Sequence, residues 1–122
     1  MLSSNVATTR ARRLGREAEH TARFFQILAD PTRVRIVELL LDGERNVSDL
    51  VDALNMQQGR VSSHLSHLWR CGLVTTRREG KYIYYRLQDS RLRLLLELAA
   101  AQDAARSSNG EPHRAEARQV AL

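Results

Sequence analysis

The strongest constraint on this chain is a change of hydrophobic period between Val47 and Leu87. Apolar residues first recur at helical spacing, as Leu50, Val51 and Leu54 and then as Val61, Leu65 and Leu68. Beyond Gly72 the pattern turns β-branched and aromatic, with Leu73-Val74-Thr75-Thr76-Arg77-Arg78 and Tyr82-Ile83-Tyr84-Tyr85-Arg86-Leu87 on either side of Glu79-Gly80-Lys81. A helix repeats about every 3.6 residues and a strand every second residue, so neither stretch fits the other's structure. Two short helices joined by about three or four residues make a helix-turn-helix. A hairpin directly after it is a wing.

The flanking segments complete the order. Ala22, Phe25, Ile27 and Leu28 mark a first helix over Gly15–Asp30. Asp30-Pro31-Thr32 reads as a restart, because Asp caps free N–H groups and Pro suits the first helical position. The helix that follows carries Val34, Ile36, Val37, Leu39, Leu40 and Leu41, too apolar for a surface element, and Asp42-Gly43 ends it. Val47-Ser48-Asp49 reads as a staple residue, a cap and an acidic first turn. A recognition helix then spans Gln57–Cys71 with Gly72 as its stop. Gln88-Asp89-Ser90 caps a last helix from Arg91 to Ala105, in which Leu92, Leu94, Leu95, Leu96 and Leu98 cover more than one face. The expected class is mainly α with a small β-hairpin, in the order α-α-α-αR-β-β-α. Residues 1–14 lack periodicity and are expected to be a flexible arm, residues 15–106 the folded domain, and residues 107–122 a disordered tail.

Composition narrows the function classes. A chain of 122 residues has room for one core. No run approaches the ~20 apolar residues that cross a bilayer, and the N-terminus has no apolar signal region, so a cytoplasmic protein without a membrane partner is expected. One cysteine excludes an intramolecular disulfide framework. The net charge of +5 is the local balance of residues 57–88, where Arg60, Arg70, Arg77, Arg78, Lys81 and Arg86 face only Glu79. The remaining segments cancel. Such an excess attracts a polyanion, although charge alone serves a solvated face equally well.

Stepping ~100° per residue along the recognition helix groups Val61, Leu65 and Leu68 on one side. Gly59, Ser62, Ser63 and Ser66 lie opposite, with Gln58 and Arg60 at the flanks. Small residues let such a helix enter the major groove of double-stranded DNA, where Gln58 suits an adenine edge and Arg60 a guanine edge. Ser62 and Ser63 suit a base or a phosphate. His64 has two readings, a DNA contact or a residue packed within the motif. On the wing, Arg77, Arg78 and Lys81 suit phosphates or the minor groove, and the tyrosines suit strand packing. One motif buries too little surface for tight operator binding, so a two-fold homodimer is expected. Phe24 and Phe25 on the first helix and Leu92, Leu95 and Leu96 on the last are the candidate interface.

Residues 22–98 resemble the ArsR/SmtB family of winged-helix repressors. The resemblance rests on Leu28-Ala29-Asp30-Pro31-Thr32-Arg33 with Ile36; Val47-Ser48-Asp49-Leu50; Val61-Ser62-Ser63-His64-Leu65-Ser66-His67-Leu68; Cys71-Gly72-Leu73-Val74; and Arg78-Glu79-Gly80-Lys81 with Tyr84-Tyr85-Arg86-Leu87. It implies a dimeric repressor that an inducer, often a metal ion, releases from operator DNA. Two family metal sites are missing: their positions hold Asn46 and Ser48 in one case and Asp89-Ser90-Arg91 in the other. The pattern of the cadmium/lead-sensing branch is half present, with Cys71 matching the second cysteine and His67 replacing the first. At i, i+4 these two stand on one helix stripe, as ligands of one ion would. His113, or His20 of a partner's first helix, is the candidate third ligand. With one thiolate, Zn, Ni, Co or Cu is favoured over Cd, Pb or Hg. The alternative for His67 and Cys71 is a solvated histidine beside a small hydrophobe, which leaves a metal-independent regulator. A winged-helix protein-interaction module is a further alternative, disfavoured by the basic window. Catalysis by Cys71 is not expected, since a helix C-terminus raises a thiol's pKa.

Overall fold

Ile36, Val37, Leu50, Val61, Leu65 and Leu68 are wholly buried and come from three successive helices, the centre of the computed structural model. Residues 2–108 are described, and they fall into two compact units that divide after Gln88. The first unit contains α1 (Leu2–Leu28), α2 (Pro31–Leu41), β1 (Arg45–Asn46), α3 (Val47–Leu54), α4 (Gln58–Arg70), β2 (Val74–Glu79) and β3 (Tyr82–Leu87). The second contains α5 (Leu92–Ser108).

The junction between α1 and α2 follows the local chemistry. Asp30 has extended backbone and its carboxylate accepts from the Arg33 N–H at 3.1 Å, while Pro31 occupies the first helical position. That bond holds the Asp30 carboxyl below its ordinary value of 3.8, against a smaller opposing effect of burial. At α3 the capping residue is Asn46 and not Ser48. Asn46 Oδ1 accepts from Asp49 N–H at 2.8 Å and the Asp49 carboxylate accepts from Asn46 N–H at 3.2 Å. This reciprocal box satisfies two otherwise orphaned donors. Asn55 closes α3 in the left-handed conformation, with φ of 53°.

The sheet has three antiparallel strands in the order β1-β3-β2, one more than the expected hairpin. The added strand β1 pairs Arg45 with Tyr85 and Asn46 with Tyr84. Two residues are too few to show an alternating pattern, which is why the sequence conceals it. Between β2 and β3 the pairs run from Val74–Leu87 to Glu79–Tyr82, leaving a two-residue turn at Gly80 and Lys81. Gly80 takes φ of +61°, a conformation that side chains disfavour.

The segment expected as an N-terminal arm is helical, within α1. Residues 2–14 form its first half, and they contain neither Gly nor Pro to interrupt it. Every side chain from Val6 to Arg23 is exposed, so no buried face gives this stretch a readable period. At the other end α5 reaches Ser108, past its expected end at Ala105. The expected tail beyond that point, and His113 within it, lie outside the described residues.

Replacing Asp30 by Ala removes the α2 cap and is expected to cost about 1 kcal/mol of stability near neutral pH. Because the folded pKa lies below 3.8, wild-type and variant stabilities should converge as pH falls through that lowered value. Urea denaturation of both proteins across the acid range checks this.

Candidate nucleic-acid interface

The exposed face of α4 follows from its buried one. With Val61, Leu65 and Leu68 against the core, Gly59, Ser63 and Ser66 are exposed, and so are Gln58 and Arg60 near the N-terminus. Ser62, His64 and His67 are half-buried at the flanks. Gln57 precedes the helix with extended backbone and makes no side-chain cap.

His64 faces α2. Arg33 Nε donates to His64 Nδ1 at 3.2 Å, and Arg33 Nη1 donates to the Ile27 carbonyl at 3.2 Å in the last turn of α1. Both sequence readings of His64 therefore remain compatible: it packs within the motif and keeps part of its surface.

On the wing Arg77, Arg78 and Lys81 are all exposed, but they are not equivalent. Arg77 donates to Glu44 through Nε at 2.9 Å and Nη2 at 2.8 Å, and to Glu79 through Nη1 at 2.7 Å. Its guanidinium also lies 4.8 Å from the centroid of the Tyr84 ring. These carboxylates raise the Arg77 pKa further, and Arg77 in turn lowers that of Glu44. Arg77 thus holds the wing to the α2–β1 connection and is no unengaged cation. Sequence reading missed Glu44, which lies 33 residues away along the chain. Arg78 Nε donates to the Gly80 carbonyl at 3.3 Å, Lys81 Nζ lies 5.5 Å from the Tyr82 ring centroid, and Arg86 Nε donates to Thr75 Oγ1 at 3.2 Å. None of these three forms an ion pair with a carboxylate among the described residues, although the charge of Arg86 helps to lower the Glu44 pKa. Tyr84 and Tyr85 are half-buried, as strand-packing residues would be, and Tyr82 is more exposed beneath Lys81.

Cys71 caps α4, exposed, one turn beyond His67. It lines a groove of about 290 Å³ with Arg70 and with His20, Arg23, Phe24 and Ile27 of α1. Among the described residues no three His, Cys, Asp or Glu side chains come together to hold a metal ion. The candidate interface residues divide: Phe24 is half-buried, Phe25 is half exposed, and their rings meet edge-to-face at 5.5 Å. In the second unit Leu95 and Leu96 are half-buried, whereas Leu92 is 6% exposed in the single chain and has almost no surface to offer a second copy. Leu94 and Leu98, outside the expected set, are the exposed leucines of α5. At the start of that unit Asp89 accepts from Arg91, which holds its carboxyl down to about 2. Among the described residues, no helix is long and apolar enough to cross a membrane.

This arrangement, a helix-turn-helix followed by a cationic hairpin, defines a winged helix-turn-helix protein. Residues 30–76 match the family described as bacterial regulatory protein, arsR family. The chain is 47% identical over 88 residues to a probable mercury resistance operon repressor of Streptomyces lividans, covering 70% of each protein. It is 48% identical over 64 residues to the arsenical resistance operon repressor of Escherichia coli, covering 52% of this chain and 55% of that protein. The solution structure of a homodimeric winged helix-turn-helix DNA-binding domain from Mycobacterium bovis superposes with a TM-score of 0.68 at 34% identity, over 75% of this chain and 88% of that one. The chain belongs to the ArsR family, a family of DNA-binding transcriptional regulators rather than enzymes.

The Glu44 tie has a pH signature. The pair is complete near neutral pH and is lost as pH falls through the lowered Glu44 pKa, beneath its ordinary 4.5. Hydrogen exchange of the β3 amides should therefore quicken in Glu44→Gln at neutral pH, with the α2 and α4 amides unchanged. Equal exchange in both proteins would show that the wing does not depend on this pair.

Proposed function

We propose that this protein is a repressor that binds operator DNA as a homodimer, with α4 in the major groove and the wing along the backbone. The observation that carries the reading is the α4 surface itself. Its outer face is built from Gly59, Ser63 and Ser66, flanked by Gln58 and Arg60, beside a wing bearing cations that meet no carboxylate. In this reading Gln58 and Arg60 address base edges, Ser62 and Ser63 address bases or phosphates, and Arg78 and Lys81 neutralise phosphates. Arg77 becomes a positioning residue, because its guanidinium already spans two carboxylates. Exposed Phe25, Leu94 and Leu98 support self-association through the first and last helices, with Leu92 left out. Regulation of transcription places the protein with the DNA, in the cytoplasm.

The names of the mercury and arsenical repressors support an inducer drawn from metal or metalloid ions. The described residues of one protomer do not fit such an ion by themselves, since His67 and Cys71 gain no third ligand there. A metal reading needs a donor from the partner or from outside the described residues, and no release step is derived through it. Exposed Cys71, the chain's one thiol, is the natural residue to test.

The test uses a duplex that the full-length protein selects from a random pool. Arg60→Ala should lower affinity and blur sequence preference, each lost bidentate contact removing about 1–3 kcal/mol of discrimination. Arg78→Ala should weaken all sequences alike and reduce the slope of log affinity against log salt by about 0.9 per lost phosphate contact. Arg77→Ala should weaken binding and leave that slope unchanged; a drop like that of Arg78→Ala would make Arg77 a direct contact. Failure to select any duplex with steep salt dependence would favour the protein-interaction alternative. Adding Zn, Ni, Co, Cu, Cd, Pb and Hg singly, to wild type and to Cys71→Ser with His67→Ala, tests the inducer. If no ion weakens DNA binding, the regulator is metal-independent.

A further inference from the structure

We propose that Arg33 fixes the tautomer of His64, so that α4 presents an imidazole N–H donor to a DNA phosphate and never an imidazole acceptor. The proposal rests on the operator-binding reading and adds to it a chemical form and a partner for one residue.

A guanidinium has five N–H donors and no lone pair to accept with. Arg33 Nε lies 3.2 Å from His64 Nδ1, and for this to be a hydrogen bond Nδ1 must be bare. A neutral ring then carries its proton on Nε2.

The guanidinium is not free to swing away and accommodate a different tautomer. Its Nη1 is committed to the Ile27 carbonyl at 3.2 Å, and the Arg33 backbone N–H is held by the Asp30 carboxylate at 3.1 Å. The end of α1, the cap of α2 and the flank of α4 therefore converge on one side chain. His64 keeps part of its surface, and its Nε2 makes no hydrogen bond among the described residues.

Position selects the acceptor. At ~100° per residue His64 lies more than a quarter turn from the outer face of Gly59, Ser63 and Ser66, on the side turned to α2. A helix seated by that outer face meets bases there and the sugar–phosphate backbone at its flanks. The Nε2–H of His64 accordingly donates to a phosphate oxygen, while Arg33 acts through it as a positioning residue.

Two measurements test this. In the free full-length protein at about pH 8, a long-range proton–nitrogen spectrum should show His64 Nδ1 as the bare nitrogen and Nε2 as the protonated one. Arg33→Ala should mix the two forms. A protonated Nδ1 in the wild type overturns the proposal, and this readout needs no DNA. With the selected duplex, His64→Asn keeps an acceptor near Nδ1 and loses the distal donor, whereas His64→Gln keeps a distal donor. His64→Asn should bind about tenfold more weakly on every sequence, and His64→Gln within about threefold of wild type. Equal losses in both variants, or wild-type affinity for His64→Asn, would overturn the donor role. Absence of any duplex binding by the wild type would instead sink the operator reading, while the spectrum still decides the tautomer.

Discussion

The burial of Val61, Leu65 and Leu68 is the constraint from which the rest of the first unit follows. These three wholly buried side chains on a 13-residue helix set its rotation about its own axis. Once the rotation is set, Gly59, Ser63 and Ser66 must point outward, and Arg60, His64 and Cys71 must lie along a flank. A substitution that shifted this stripe by one position would turn every outward residue, because side-chain direction on a helix is tied to spacing. Ile36, Val37 and Leu50 are equally buried on α2 and α3, the helices that contact α4.

Charge is arranged on top of that packing, and pairing changes its meaning. Residues 57–88 carry six cations against one acidic residue in sequence, but folding brings Glu44 from outside the window onto Arg77. The most heavily bonded wing arginine is thereby a strut between β2 and the α2–β1 connection. Arg78 and Lys81, near the turn, form no ion pair among the described residues. Exposed ion pairs contribute little to overall stability, and this one joins the wing to the α2–β1 connection. Arg33 works similarly inside the motif, joining the end of α1 to the recognition helix through a carbonyl and an imidazole.

Most helices were legible because their ends carry local chemistry. Asp30-Pro31, Asp42-Gly43 and Gly72 stop or start helices through groups that they themselves supply, and the structure uses them so. What escaped lacks such a signature. The two-residue β1 has no period to read, and the cap at Asn46 competes with the equally suitable Ser48 two residues on. The first half of α1 has no buried face, so its helicity leaves no hydrophobic pattern. The candidate site was legible in its residue types, less so in their roles: Gln58 and Arg60 are exposed as the wheel requires, while Arg77 is occupied and Leu92 is buried.

By itself the sequence determined the order of the helices and of the two wing strands, the inward stripe of the recognition helix, and membership of a DNA-binding class. Each of these depends on spacing within one segment. Tertiary structure alone decided which wing cations form ion pairs, which ring nitrogen of His64 faces Arg33, and that His20 and Cys71 line one groove without completing a metal site among the described residues. Those outcomes depend on contacts between residues as far as 33 positions apart, and no local pattern encodes which distant partner arrives.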